Sequence, residues 1–313
     1  MRTRLSVLFA IAVGVLLAST AAAARVQSQG PKVTLVSRHV LQGQVELLKA
    51  VGIPRSGRCS LTVRYSHGFR QSLGSEPVLG HQVSWIWLVP TRAGVGSAKA
   101  RVACGRVGVR TGTFVVRRLP RTGVAVVKRG FTQLPDGRNG TAVSWGVVLA
   151  NRSQKEMRVR VDVNFTDTTG NVLLQDGWRN LRVAPGATEY IADQEYTAGF
   201  PPIAKVAAVV SGGHTASNSI AALSVRDAQI SADGEGSAVV NGSLTNDGAT
   251  HPSQVEVCAV FFNSGDKVIG GACSYNLSGL LPGTQEAFTI DTGTGGPPAS
   301  SVSWVEASGY GSP

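Results

Sequence analysis

What the sequence lacks narrows the choices first. Apolar residues do not recur at helical spacing over the bulk of the chain, which argues against helix bundles and α/β folds. Beyond the first two dozen residues, no stretch reaches the apolar length of about 20 residues that a membrane helix requires. The five histidines, His39, His67, His81, His214 and His251, form no His-x-x-x-His pair. Nor do they stand in zinc-ligand spacing with carboxylates or cysteines, so they read as surface or turn residues. Neither a Gly-x-Ser-x-Gly elbow nor a catalytic-cysteine signature is present. Asp233-Gly-Glu-Gly and Asn246-Asp247-Gly lack the alternating ligands of a calcium loop and read as plain turns. No metal and no cofactor is expected. A DNA-reading helix and an RNA-binding aromatic pattern are missing too, which excludes nucleic acid as the expected partner.

What is present begins with a targeting segment. Met1–Ala24 opens with Arg2 and Arg4, runs apolar from Leu5 to Ala18 and ends on Ala22-Ala23-Ala24, the pattern of a signal peptide cleaved before Arg25. An uncleaved anchor is the alternative, but the apolar run is short for a span. No cysteine sits at the cleavage point to carry a lipid. The protein is therefore expected outside the cytoplasm, secreted, with association to the cell envelope as a further option. Export favours disulfides over metal ligation for the four cysteines.

The remaining residues alternate in strand fashion. Cys59, Leu61, Val63 and Tyr65 share one face, with Ser60, Thr62 and Arg64 on the other. Val83, Trp85, Trp87 and Val89 share a face as well, while Ile86 and Leu88 are apolar on the opposite one, which predicts a central strand. Residues 31–118 read as one sandwich. Arg117–Gly123, charged and interrupted by Pro120, reads as a linker. Next comes a duplication. Phe165 maps to Phe261, Val172 to Val268, Gly199 to Gly295, Pro201-Pro202 to Pro297-Pro298 and Val206 to Val302, all 96 residues apart. Asn151 and Asn246, and the pairs Pro185-Gly186 and Pro282-Gly283, keep that period within one residue. Solenoid units run about 20–50 residues, so this period marks duplicated domains, 124–220 and 221–313, each long enough to close its own core. In the first copy Val159, Val161, Val163 and Phe165 are expected inward, and Arg158, Arg160, Asp162 and Asn164 outward. The fold class is all-β: three tandem immunoglobulin-like β-sandwiches after a signal peptide.

Four cysteines allow three pairings, and only Cys59 with Cys104 and Cys258 with Cys273 stay within domains. Cys258 and Cys273 lie symmetrically about Gly265-Asp266, which sets them opposite one another across a hairpin. Cys258 occupies the place of Asp162, so its bridge is expected as a surface staple. Asn139, Asn151, Asn164, Asn241 and Asn276 each begin an Asn-x-Ser/Thr sequence, read here as turn and strand composition rather than glycosylation sites.

Two resemblances arise at these residues. The two inward cysteines flanking a tryptophan strand resemble a bacterial immunoglobulin-like module, although Trp85 lies too far past Cys59 for true immunoglobulin spacing. Phe165-Thr-Asp-Thr-Thr-Gly-Asn-Val172, preceded by an Asn turn and followed by Pro-Gly, resembles the FxLYD-type β-sandwich module. The second copy is similar through Phe261-Phe262-Asn263 and Lys267-Val268. That resemblance implies an extracellular accessory module and supplies no catalytic residues.

Charge is distributed unevenly. The chain carries a net +11, yet residues 25–123 hold sixteen Lys and Arg against two acids. Residues 124–220 hold ten against eight, and residues 221–313 two against nine. Arg64, Arg101, Arg106, Arg110, Arg117 and Arg118 form the candidate surface for an anionic partner, either a cell-wall polymer or a membrane surface. Head-to-tail self-association, basic end to acidic end, is a second option. The functional expectation is a secreted, non-enzymatic binding or scaffolding protein of the envelope. An envelope hydrolase with a site between domains and a purely structural spacer are the alternatives.

Overall fold

The computed structural model describes residues 32–54, 57–105, 108–135, 140–197, 199, 201–215, 223–234, 236–252, 254–277, 280–293, 296–297 and 302–310. The expected signal peptide, Met1–Ala24, lies outside them. All regular structure among the described residues is strand apart from a single 3₁₀ position at Gly105, and the fold is all-β, built of immunoglobulin-like sandwiches. The chain divides into two compact units. One ends at Arg118 and takes in Thr169–Asn171, and the other holds the rest from Leu119 onward.

The first unit is one sandwich. Strands β1 (Lys32–Leu35), β3 (Val45–Val51) and β6 (Gln82–Leu88) form an antiparallel sheet in the order β1-β3-β6. The second sheet runs β2-β8-β7-β4-β5, from β2 (His39–Leu41), β8 (Val109–Arg117), β7 (Gly94–Ala103), β4 (Arg58–Ser66) and β5 (Arg70–Pro77). Among the described residues of this unit, only β2 and β8 pair in parallel. Leu48, Leu61, Trp85, Trp87 and Phe114 are buried between the sheets. Trp87 meets Phe114 edge-on at 6.1 Å, and its Nε1–H donates to the Tyr65 hydroxyl at 3.1 Å. A buried indole N–H needs such a partner.

One expectation for this unit is corrected. Strand β6 is not central but stands at the end of its sheet, and Ile86 is 40% exposed, a scattered apolar surface residue of the ordinary kind. The Cys59–Cys104 bridge is present and buried, as expected, and unlike the inter-sheet bridge of an immunoglobulin domain it lies within one sheet. It links β4 to the residue just after β7, beside the Ser60–Ala103 pair of the same sheet.

In the second unit six strands pair in one order and the next six repeat it. The first copy pairs β9 (Val124–Pro135), β10 (Thr141–Asn151) and β13 (Thr188–Thr197) in the order β13-β10-β9. Its other sheet, β12-β11-β14, uses β11 (Met157–Thr166), β12 (Val172–Val183) and β14 (Lys205–Thr215). The second copy repeats this with β15 (Leu223–Ala232), β16 (Ala238–Asn246) and β19 (Gln285–Asp291) as β15-β16-β19. Then β17 (Gln254–Phe262), β18 (Val268–Leu277) and β20 (Val302–Tyr310) form β18-β17-β20. Phe165 and Phe261 are both fully buried.

The Asn and Pro-Gly elements of the repeat turn out to be one device. Asn151 Nδ2 lies 2.8–3.0 Å from the carbonyls of Lys155, Val183 and Ala184, while its Oδ1 accepts the Ser153 N–H at 2.9 Å. Asn246 does the same in the second copy, reaching Thr250 and Leu280 carbonyls at 2.9 Å and accepting the Gly248 N–H at 3.0 Å. Each buried Asn ties the turn after its strand to the Pro-Gly turn, satisfying carbonyls that water cannot reach.

The copies are not independent. Each closes an internal core, but sheet β18-β17-β20 packs its other face on sheet β13-β10-β9. Cys258, Val260, Phe262 and Val268 thereby join the cluster of Trp145, Leu149 and Phe165. Cys258 is 3% exposed, so the expected surface staple is corrected: its bridge to Cys273 is directly cross-strand, as expected, but enclosed by the neighbouring copy. The two sheets approach unusually closely, through small residues. The Ser144 hydroxyl donates to the Gly271 carbonyl and accepts the Gly271 N–H, both at 2.8 Å. A Cβ on Gly130 would fall 1.7 Å from the Val268 carbonyl oxygen, and one on Gly271 2.9 Å from that of Trp145. At the rim Lys128 pairs with Asp266, and Gln194 Nε2 donates to the Thr292 carbonyl at 2.6 Å. On β11, Asp162 and Asn164 face away from the Val161–Phe165 side but are buried rather than exposed, Asp162 accepting Arg160 Nε at 2.7 Å.

This contact makes a prediction. In Gly271→Ala the new methyl meets the Ala192 Cβ at 2.5 Å as well as backbone oxygens, so the sheets must part. Overpacking of this kind costs about 1–3 kcal/mol. Calorimetry on the full chain should show the transition of the repeats moving down as one event. An unchanged transition contradicts the shared interface.

Candidate anion-binding face of the first unit

The outward face of the five-stranded sheet follows from the alternation of β4. Cys59, Leu61, Val63 and Tyr65 are buried, which turns Ser60, Thr62 and Arg64 outward. Register extends that face across the sheet. Arg64 stands opposite Arg70 on β5 and opposite Lys99 on β7, and Thr62 opposite Ser72 and Arg101. Lys99 and Arg101 are opposite Thr113 and Thr111 on β8. The side chains of Thr62, Arg64, Arg70, Lys99, Arg101 and Thr111 line a shallow depression of about 420 Å³.

Arg70, Arg64 and Lys99 therefore form a row of three cations, each directly opposite the next on hydrogen-bonded strands. Like charges placed so are destabilising, by the same few tenths to 1 kcal/mol that opposite charges contribute. Among the described residues, none of Arg64, Arg70, Lys99 and Arg101 forms an ion pair. The unit's two acids are elsewhere. Glu76 is opposite Cys59, on the register of the core-facing side. Glu46 is buried in the other sheet, its Oε1 accepting the N–H groups of Ser37 and Leu47, and burial pushes its carboxyl pKa up.

The six arginines singled out in the sequence do not all meet. Arg64 and Arg101 come together as expected. Arg106 lies outside the described residues. Arg110 pairs with the buried Val102, so it belongs to the opposite face of the sheet. Arg117 is on the outward register but at the far end of β8, past the Ser97–Val115 pair, and Arg118 follows the strand. Sequence reading did not place Arg70 and Lys99 at this site. Their alternation was visible, but which strands are neighbours is a tertiary fact.

Other chemistry is sparse. His39, His67, His81 and His251 are exposed, and His67 and His81 sit in turns with positive φ. Asp233 accepts the Ser237 N–H at 2.8 Å within its own turn. Asn151 and Asn164 are buried, away from any modifying enzyme, whereas Asn241 is exposed. Asp176, Asp193 and Glu195 bring carboxylate oxygens within 4.8 Å of one another, but Asp176 already accepts the Trp145 indole N–H at 3.2 Å. Cys258 and Cys273, near Glu256, are oxidised and offer no thiolate. Two disulfides point to an oxidising environment. Among the described residues, no helix is long and apolar enough to cross a membrane.

No protein-family description and no curated protein matches the sequence. Among solved structures, the chain is similar to Salmonella α-2-macroglobulin reacted with methylamine, at 10% identity and a TM-score of 0.25, over 91% of this chain and 22% of that one. Similar too are the native conformation of Escherichia coli α-2-macroglobulin (10% identity, TM-score 0.26, 90% and 21% covered) and dimeric latent PorU of Porphyromonas gingivalis (10%, 0.22, 88% and 32%). This chain thus spans a fifth to a third of the length of those proteins. Scores so low carry no functional argument.

The cation row predicts a salt-dependent stability. Arg64→Gln removes both like-charge oppositions and should stabilise the first unit at low ionic strength, by up to about 1 kcal/mol for each. The gain should shrink at high salt as the wild-type row is screened. Denaturant titrations at two salt concentrations measure it. Destabilisation by Arg64→Gln at both would mean that the row is internally compensated.

Proposed function

We propose that this is a secreted, non-enzymatic protein of the cell envelope that uses the outward sheet face of its first unit to hold an anionic partner. The row Arg70–Arg64–Lys99, with Arg101 beside it, carries this reading. A sheet gains nothing in stability from three cations set opposite one another without acids, whereas an anion laid across them converts repulsion into charge-assisted hydrogen bonds. We take the repeats as FxLYD-type accessory modules acting as a scaffold, and Met1–Ala24 as the cleaved export signal. The disulfides agree with export.

A cell-wall polymer fits better than self-association through the acidic end. The nine acids of residues 221–313 are partly engaged already: Glu256 is buried, Asp266 pairs with Lys128, and Asp247 accepts the Ser224 hydroxyl.

Co-sedimentation of the full exported chain with native envelope tests the reading. Binding should weaken steeply with salt and be lost in Arg64→Glu/Arg101→Glu, with no dependence on protein self-association in velocity sedimentation. Undiminished binding of the double variant refutes the face as the site, and salt-sensitive dimerisation without envelope binding favours the head-to-tail alternative.

A further inference from the structure

The arrangement of the four cations says more about the ligand than its sign. Building on the proposal of an anionic partner, we infer that the face is made for phosphomonoester groups, borne along an extended polymer chain, rather than for carboxylates or a lipid surface.

Strands in a sheet lie about 4.8 Å apart, and residues two apart on one strand are about 6.7 Å apart. Arg70, Arg64 and Lys99 therefore span roughly 10 Å across three strands, and Arg101 is one such step along β7 from Lys99. Four positive charges fall within about 10 Å by 7 Å. A terminal phosphate carries about −1.5 to −2 charges and three acceptor oxygens, so two such groups balance the patch. Carboxylates supply one charge each and would have to crowd four together in the same area. The donor chemistry agrees. Three of the four cations are arginines, whose planar forks bind either anion bidentately, and the hydroxyls of Thr62 and Thr111 beside them add donors for the third oxygen that a phosphate has and a carboxylate lacks.

Two further observations select the carrier. Among the described residues, the outward positions of β4, β5, β7 and β8 hold no aromatic side chain on which a sugar or base ring stacks. Phe69, next to Arg70, has its ring covered by the Arg92 guanidinium at 4.7 Å. The exposed apolar residues on this face are the valines Val95 and Val109, and a membrane-seeking surface presents Trp, Phe or Leu instead. The depression is shallow and lies across strands, which suits a chain laid over the sheet.

The test is titration calorimetry on the full chain at constant ionic strength, with inorganic tripolyphosphate and with polyglutamate of matched total charge as probes. Tripolyphosphate should bind at least about tenfold more tightly, a difference of about 1.4 kcal/mol. Thr62→Val/Thr111→Val keeps the charge and the arginine forks but removes the hydroxyl donors for a third oxygen, and circular dichroism confirms its fold. It should lose about fivefold for tripolyphosphate and less than about twofold for polyglutamate. Equal affinities, or equal losses, overturn the phosphate inference and leave the general anionic reading standing. No binding of either probe overturns both. Phosphatidylglycerol vesicles bound as tightly as tripolyphosphate, charge for charge, would replace the polymer by a membrane and overturn the inference as well.

Discussion

Two β-sheets cannot approach closely unless the residues between them are nearly without side chains, and the second unit depends on that constraint. Gly130, Gly146, Gly270 and Gly271 clear the space in which sheet β18-β17-β20 meets sheet β13-β10-β9, and the Ser144 hydroxyl fixes the contact on the backbone of Gly271. From this follow the burial of β10 on both faces, the enclosure of the Cys258–Cys273 bridge and the joining of copies into one unit. The stack does not repeat at the next sheet face. Where the first copy has Gly146 and Val148, the second has Asn241 and Ser243, and Asn241 accepts the Thr289 hydroxyl at 2.8 Å. Polar side chains there occupy the space that glycine leaves open in the first copy.

Much of this was legible in the residues. Alternation placed Val159 to Phe165 and Cys59 to Tyr65 on inward faces, the 96-residue period exposed the duplication, and turn symmetry set Cys258 opposite Cys273. What was missed was tertiary. A residue facing away from its own core looks solvent-exposed in sequence, and nothing in the run Gln254–Phe262 tells that a second sheet covers Cys258. Glycines in strands were the available signal, because a strand interior containing Gly often marks close backbone approach. The edge position of β6 was misread for a related reason: Ile86 and Leu88 looked like a second buried face, but exposed apolar residues are common on protein surfaces. The role of Asn151 and Asn246 was half visible, the repeat showing the residue and the structure showing its partners.

The basic face shows the same division. Codon-biased arginine usage and a binding surface look alike in composition, and six arginines chosen by sequence fell on different faces of one sheet. Register decides between them. A solvated basic surface formed by composition alone spreads its charges, whereas here Arg64 is held between Arg70 and Lys99 with no acid among the described outward residues of the sheet. Strand pairing, rather than net charge, is what turns a segment of sixteen cations and two acids into a candidate site.

The most direct test of that site is hydrogen exchange on the full chain, free and bound to native envelope. Added protection should concentrate in β4, β5 and β7, with β15, β16 and β19 unchanged. Protection concentrated in β15, β16 and β19, or none in β4, β5 and β7 despite binding, would contradict the account.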